Sequence, residues 1–239
     1  MGKLVALFLL FWVFILPNNS YAAREATADL AEDFIPITED FDGATMTVFG
    51  ALRSPESNVV VVIEGPAIKA LVRAKVRRYG VWVNDEPQTI SPAPSFYAVL
   101  SSRPVAKITD DKTIQKLGLT LAALTMNGLA GEGLKRDRKD KGLYLERDDG
   151  ARIRDKKLFR ADVRLPPNVP VGTYRASVYE LSGGKVVASR TTSFSVAQIG
   201  IGGSIKHLAL KRPVLYAMMA LVFALGIGGG AAHLFRKVS

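Results

Sequence analysis

The chain has 239 residues, a formal net charge of +10 and no cysteine. Without cysteine it can carry neither a disulfide framework nor a thiolate metal site. Its two histidines, His207 and His233, both lie near the C-terminus. A Ser-His-Asp arrangement, or a zinc or copper site, is therefore not expected in the body of the chain. The composition favours a non-enzymatic protein without a cofactor or a metal ion, and an exported, anchored chain is not expected to bind nucleic acid.

The N-terminus predicts export. Lys3 precedes an apolar run over residues 4–16, which has the length of a signal-peptide core and is short for a membrane span. Small residues at the end of segment 1–23 predict cleavage after Ala22 or Ala23, and an uncleaved N-terminal anchor is the alternative. Both interpretations place the chain that follows outside the cytoplasm.

The C-terminus predicts a membrane helix over residues 213–234. This stretch is uncharged, and basic residues flank it on both sides. At ~1.5 Å per residue it is ~30 Å long, the thickness of a bilayer's hydrocarbon core. Because positive charges flank both ends, the first segment sets the orientation. We expect a single-pass inner-membrane protein with a periplasmic domain, a tether over 199–212 and a cytoplasmic tail over 235–239.

The first exported region, residues 24–107, has the pattern of β structure. Residues 24–33 are polar and predict a mobile lead-in, and three prolines between 87 and 94 predict a loop. Short apolar runs bounded by Gly, Pro or Asn predict strands. These are 34–37, 44–52, 58–64, 81–84 and 95–101, and the run 58–64 is apolar enough to be covered on both faces.

Residues 70–79 predict a basic strand. Arg73, Lys75 and Arg77 alternate with small apolar residues, and a period of two would place the three cations on one face. Such a face could bind an anion or an acidic partner. The alternative is a solvated sheet face whose charge is balanced by neighbouring acids, Glu64, Asp85 or Glu86. Two aromatic residues are predicted to lie in the core: Tyr79, which ends this run, and Trp82, which follows it.

Residues 108–142 predict a helical insertion. Thr109 or Asp110 can cap a short helix over 111–117, and Gly118 can end it. A second, amphipathic helix is predicted over 119–141 and is stopped by Gly142.

Residues 143–198 return to β structure. Asp148–Asp149–Gly150 predicts a hairpin between 143–146 and 151–154. A strand over 158–165 is followed by two alternating runs, 172–181 and 185–197, joined by Ser182–Gly183–Gly184. This last hairpin is typical of the final strands of an immunoglobulin-like sandwich. The predicted fold is therefore a mainly β, immunoglobulin-like sandwich with a helical insertion and one C-terminal transmembrane helix.

Carboxylate clusters offer a further candidate chemistry. Each lies beside turn or cap signals, so a structural role is expected, and a calcium or acid–base role is the alternative. The clusters are Glu39 with Asp40 and Asp42, Asp110 with Asp111, and Asp148 with Asp149.

The predicted membrane helix carries a stripe of small residues. Small side chains at helical spacing let two membrane helices approach closely, so the stripe is a candidate packing face for a partner helix. An ordinary alanine-rich anchor is the alternative. The stripe consists of Ala217, Ala220, Ala224, Gly228 and Ala231.

Long sequence motifs carry a family resemblance. The stretch "VFGAL…NVVVVIEGP…VRAKVRRYGVWVN…FYAVLSSRP" over 48–104 and "LFRADVRLPPNVPVGTYRASVY" over 158–179 resemble a family of alphaproteobacterial transmembrane proteins of unknown function. The resemblance implies an exported β domain on a C-terminal anchor. It also implies an accessory role beside permeases similar to sulfite and sulfonate exporters, and it brings no catalytic residues. The expected partners are the lipid bilayer and a multi-span permease; the alternative is a tethered periplasmic scaffold or envelope-binding module.

Overall fold

The computed structural model describes residues 24–73, 75–84, 86–124, 126, 128–200 and 208–238. Within these ranges, a few side chains are not described: those of residues 24, 75, 76, 78, 82, 84, 128, 129 and 230–238. The predicted signal peptide, residues 1–23, lies outside the described part of the chain. The described body is mainly β with short helical pieces.

The larger of two main sheets is built around β5 (Asn58–Glu64). All five residues from 59 to 63 are buried, which confirms that both faces of this strand are covered. Its neighbours in the sheet are β10 and β14, and the strand order is β1-β15-β14-β5-β10-β11, with β3 also paired to β15. The bounds of the other strands are β1 Arg24–Glu25, β3 Phe34–Ile37, β10 Tyr97–Ser101, β11 Tyr144–Arg147, β14 Gly172–Ser182 and β15 Lys185–Gln198.

The second sheet has the order β12-β13-β4-β2. Its strands alternate between buried apolar and exposed polar residues, because one face packs on the core and the other meets solvent. Side chains from both sheets contribute to one hydrophobic core. The strand bounds are β2 Thr27–Leu30, β4 Ala44–Ala51, β12 Ala151–Arg154 and β13 Leu158–Leu165.

A β arm extends the chain between β5 and β10. β6 (Ala67–Val72) pairs with β9 (Gln88–Pro94), and β7 (Lys75–Arg78) pairs with β8 (Val81–Asn84). These four strands, residues 67–94, are called the arm below. The predicted single strand over 70–79 is therefore wrong, because the structure divides it between two separate ribbons.

Three other local predictions are wrong. The polar lead-in contains β1 and β2, and the proline-rich loop contains β9, whose prolines are tolerated because β9 has one ladder partner and a free edge. The hairpin around Gly150 does not form: β11 runs parallel to β10 in the first sheet, whereas β12 pairs with β13 in the second. The turn thus carries the chain from one sheet to the other.

The first predicted helix is confirmed. Helix α1 (Asp111–Leu117) begins where the Asp110 carboxylate accepts a hydrogen bond from the Thr113 amide at 3.0 Å, and it ends at Gly118 with φ +63°. The second helix is shorter than predicted: α2 covers Gly128–Asp140. Thr120 is one reason, since its hydroxyl accepts from the Ala123 amide and favours a turn there.

A third helix, α3, covers Pro213–Val238. Its side chains are exposed from residue 213 to residue 229. Among the residues that the structure describes, no helix combines the length and the apolar character needed to cross a membrane.

Candidate anion-binding surfaces

The three predicted cations lie along the arm. Arg73 falls between β6 and β7 and is exposed, whereas Lys75 and Arg77 belong to β7. The Arg77 side chain folds back over the hairpin turn, where its Nε donates to the Gly80 carbonyl oxygen at 3.3 Å. The side chain of Lys75 lies outside the described part. The three residues therefore share one arm, although they do not share one uninterrupted strand.

The expected counter-charge of this cluster is engaged elsewhere. Glu64 Oε2 accepts from Arg175 Nη2 at 2.6 Å, on the neighbouring strand β14. Glu86 is exposed and Asp85 lies outside the described residues. Within the described side chains, neither Arg73 nor Arg77 forms an ion pair. Among the described side chains, no acid therefore neutralises Arg73 or Arg77.

The tip of the arm is apolar as well as basic. Tyr79 and Gly80 have φ values of 51° and 83°, so they form a two-residue turn of type I′. Tyr79 is fully exposed, and Val81 is 64% exposed. The prediction that Tyr79 lies in the core is therefore wrong, and the side chain of its companion, Trp82, is outside the described part. A bulky residue with positive φ is unusual, since Asn is the common choice at this position.

A second basic surface lies on the solvent-facing side of the β12-β13-β4-β2 sheet. It is a groove of about 480 Å³, called the arginine groove below. It is lined by Phe49, Gly50, Arg152, Arg154, Leu158, Phe159, Arg160 and Asp162.

One acid balances only part of this charge. Arg160 Nε donates to both carboxylate oxygens of Asp162, at 2.9 and 3.0 Å, and Thr47 Oγ1 donates to Oδ1 at 2.6 Å. Burial acts to raise the pKa of Asp162, but the hydrogen bonds from Thr47 and Arg160 and the nearby positive charges outweigh it, so the pKa is lowered. Asp162 therefore stays ionised and holds Arg160 in place.

The sequence does contain the signal for this groove. In "ARIR" over Ala151–Arg154 the arginines are two residues apart, and in "LFRADVRL" over Leu158–Leu165 the charged residues Arg160, Asp162 and Arg164 recur every second residue. A period of two places each set on one strand face. The two strands pair so that Arg152 lies opposite Arg160, and the sequence pattern does not specify this register.

The carboxylate clusters have structural roles where the structure describes their contacts. Asp110 caps α1, and its pKa is lowered chiefly by hydrogen bonds from Thr113. Asp148 accepts from Ser101 Oγ at 3.3 Å. Across the described part of the chain, no group of three or more histidines, cysteines, aspartates or glutamates could hold a metal ion.

The small-residue stripe lies on α3. Ala217, Ala220, Ala224 and Gly228 follow one another at spacings of 3, 4 and 4 residues, which places them on one helix face. All four are exposed. The side chain of Ala231, the last member of the stripe, is outside the described part.

Fold and surface features together define a mainly β protein with two exposed basic surfaces and a separate apolar C-terminal helix. The chain matches the family described as "Putative transmembrane protein (Alph_Pro_TM)" over residues 25–237. It belongs to that family, which confirms the resemblance seen in the sequence. The match runs from the first strand into the C-terminal helix. A comparison with curated proteins finds no match.

Proposed function

We propose that the chain is a non-enzymatic, single-pass inner-membrane protein whose β domain lies in the periplasm and assists a membrane partner such as a sulfite or organic-anion permease. In this proposal residues 1–23 direct export, residues 213–234 anchor the chain, and the C-terminus is cytoplasmic. The β domain is an immunoglobulin-like sandwich, an assignment supported by two sheets around one core and by the closing β14–β15 hairpin.

The observation that carries the proposal is the apolar surface of α3. Five of its apolar residues are each between 61% and 70% exposed: Leu221, Val222, Phe223, Leu225 and Ile227. A contiguous exposed apolar surface of this kind is typical of a membrane or protein contact. Further support comes from the sequence, which carries no charged residue from 213 to 234, and from a family match that extends into this helix.

The arm is the proposed partner-facing element of the β domain. It combines the exposed cations Arg73 and Arg77 with exposed apolar residues at Tyr79 and Val81, and Lys75 lies between the two arginines in the sequence. Tyrosine is enriched at membrane–water interfaces, and cations are attracted to anionic headgroups. An element of this composition suits the mouth of an anion permease, where it would bind or steer the anion.

The stripe Ala217, Ala220, Ala224, Gly228 and Ala231 is the proposed contact for a partner helix. In lipid, helices associate through close packing rather than through apolar burial, and small residues allow the closest approach. Larger residues, including Met219 and Phe223, lie on other faces of the helix.

Co-purification tests this function. The full-length chain is extracted from its own membranes in mild detergent, and the proteins that accompany it are identified by mass spectrometry. We expect a multi-span permease near stoichiometric amount. The variant Ala220→Leu/Ala224→Leu should lose it while still inserting, and Met219→Leu/Phe223→Leu, the matched control, should retain it.

A tethered periplasmic scaffold is the second candidate. It is favoured by the arm, which presents an apolar tip at Tyr79 and Val81 on the β domain itself, away from α3 in the sequence. In that case envelope proteins accompany the chain, Ala220→Leu/Ala224→Leu has no effect, and Tyr79→Ser abolishes the association. A recovery without any multi-span protein would contradict the permease role.

A further inference from the structure

We propose that the arginine groove is a binding site for an amphiphilic organic anion, in which a carboxylate, sulfonate or phosphate group is attached to a short apolar group. This goes beyond the proposed function, because the groove is separate from the arm and from α3. It also holds whether the membrane partner is a permease or not.

The charge of the groove is only partly balanced from within. Arg152 lies directly opposite Arg160 in the β12–β13 ladder, and like charges in directly opposed positions destabilise a sheet. Asp162 relieves this repulsion at Arg160, because both of its carboxylate oxygens accept from Arg160, but it forms no ion pair with Arg152 or Arg154. A further anion beside β12 would balance the charge of these two residues.

Two guanidinium groups remain for that anion. Arg152 and Arg154 are exposed, and neither side chain forms a hydrogen bond or an ion pair within the described residues, although the charge of Arg152 helps to lower the pKa of Asp162. They are separated by one residue on the same strand face, ~6–7 Å apart along the strand. The planar guanidinium group matches oxyanions in a bidentate geometry, so an oxyanion is the ligand that this pair fits.

Apolar side chains line the same groove. Leu158 lies opposite Arg154, and Phe49 lies opposite Arg160. The two are 56% and 45% exposed, so each offers surface that a ligand can cover. A bare inorganic oxyanion would leave this surface in water, whereas an anion with an apolar group would bury it next to its own charge. The combination selects an amphiphilic anion.

The test uses the full-length chain in phosphatidylcholine nanodiscs and titration calorimetry with 1-hexanesulfonate, an anion that stays ionised at any pH used. We expect saturable one-site binding and much weaker binding of inorganic sulfate. Arg152→Gln/Arg154→Gln should weaken hexanesulfonate binding at least about tenfold, the loss expected for charge-assisted hydrogen bonds. Circular dichroism checks that the variant is folded.

Two further variants separate charge from shape. Arg147→Gln/Arg164→Gln removes the same charge from exposed positions outside the groove and should change the affinity by less than about twofold. Leu158→Ser should weaken hexanesulfonate several-fold and leave sulfate binding unchanged. The proposal is overturned if hexanesulfonate does not bind, if sulfate binds equally well, or if the control variant loses as much affinity as the groove variant.

A last experiment distinguishes a free ligand from a lipid headgroup. The full-length protein in phosphatidylcholine nanodiscs is sedimented with vesicles that contain phosphatidylglycerol. Retention that is lost in Arg152→Gln/Arg154→Gln, and kept in Arg147→Gln/Arg164→Gln, would support the site and identify the headgroup as a source. The proposal would be overturned if the vesicles retained the unchanged protein and both variants equally and if Arg152→Gln/Arg154→Gln also bound hexanesulfonate as tightly as the unchanged protein. Neither result depends on co-purification, so the groove proposal and the proposed function can be contradicted independently of each other.

Discussion

The central strands and the arm use similar residues in opposite environments. In β5 and β10, valine, leucine and tyrosine side chains are almost completely buried. In the arm, Leu71, Tyr79 and Val81 are 66%, 104% and 64% exposed. Residue type alone therefore does not tell which apolar side chains stabilise the fold. Packing accounts for the buried set, whereas the exposed set contributes little to the core.

The largest expected effect is in the core. Leu100 is fully buried in β10, so Leu100→Ala removes contacts and leaves a cavity. It should lower the free energy of unfolding by about 2–5 kcal/mol. The matched change in the arm, Leu71→Ala, should alter it by no more than about 0.5 kcal/mol. Urea unfolding of the full-length chain in detergent, monitored by circular dichroism, measures both changes. Equal losses in the free energy of unfolding would contradict the difference between the two regions.

The next effect depends on pH. Tyr144 is buried in β11, and its hydroxyl donates to the Pro94 carbonyl oxygen at 2.6 Å. Burial raises its pKa to about 12, whereas an unfolded tyrosine titrates near about 10. Below pH 10 both states keep the proton; between pH 10 and 12 the unfolded chain loses it first, so this residue's contribution to stability falls by about 1.4 kcal/mol per pH unit.

Tyr144→Phe removes that contribution. The variant should lose about 1 kcal/mol near neutral pH through the missing hydrogen bond, and its stability should fall less steeply with pH above 10. Tyr79→Phe, at the exposed tip of the arm, should keep the slope of the unchanged protein. Urea midpoints measured from pH 8 to 11 decide this, and identical slopes for both variants would contradict the role of burial.

A smaller effect of opposite sign is expected at the turn of the arm. Tyr79 holds a left-handed conformation that asparagine adopts more easily. Tyr79→Asn should therefore stabilise the chain by about 0.5–1 kcal/mol or leave it unchanged. The same variant should reduce recovery of the co-purifying partner. A clear loss of stability would show that Tyr79 packs against the fold after all.

The smallest effect concerns the surface next to the arm. The Arg175–Glu64 pair is short, at 2.6 Å, but its side chains are 64% and 34% exposed. Glu64→Gln should cost only about 0.2–1 kcal/mol, and less at high salt. Unfolding at two salt concentrations tests this, and a salt-independent loss above about 2 kcal/mol would mean that the pair acts as part of the core.

Local signals in the sequence predicted local structure well. Asp110 and Gly118 define α1 because capping depends on neighbours a few residues away. The same holds for strands 34–37, 58–64 and 158–165. The predicted hairpin at Gly150 does not form, because a turn signal indicates where the chain changes direction but does not determine which strands pair. β11 pairs with β10, which lies more than forty residues earlier in the sequence.

The two basic surfaces show the same division between local and long-range information. The alternation around Arg73, Lys75 and Arg77 identified an exposed basic segment, yet the break after Val72 could not be read from it. The arginine groove needs the register between β12 and β13, which puts Arg152 opposite Arg160, and the register of β13 with β4, which adds Phe49. Register across strands comes from packing of the whole sheet, which no single segment encodes.

The pairing of β15 has a mechanical consequence. Along residues 195–198 it runs parallel to β3, and over most of its length it runs antiparallel to β14. A pull on the chain beyond Gln198, directed along the strand, therefore loads many ladder hydrogen bonds at once in shear instead of opening them one after another. The last strand of the sheet thus resists traction from its C-terminal end, and a force applied beyond Gln198 would be distributed over β3 and β14.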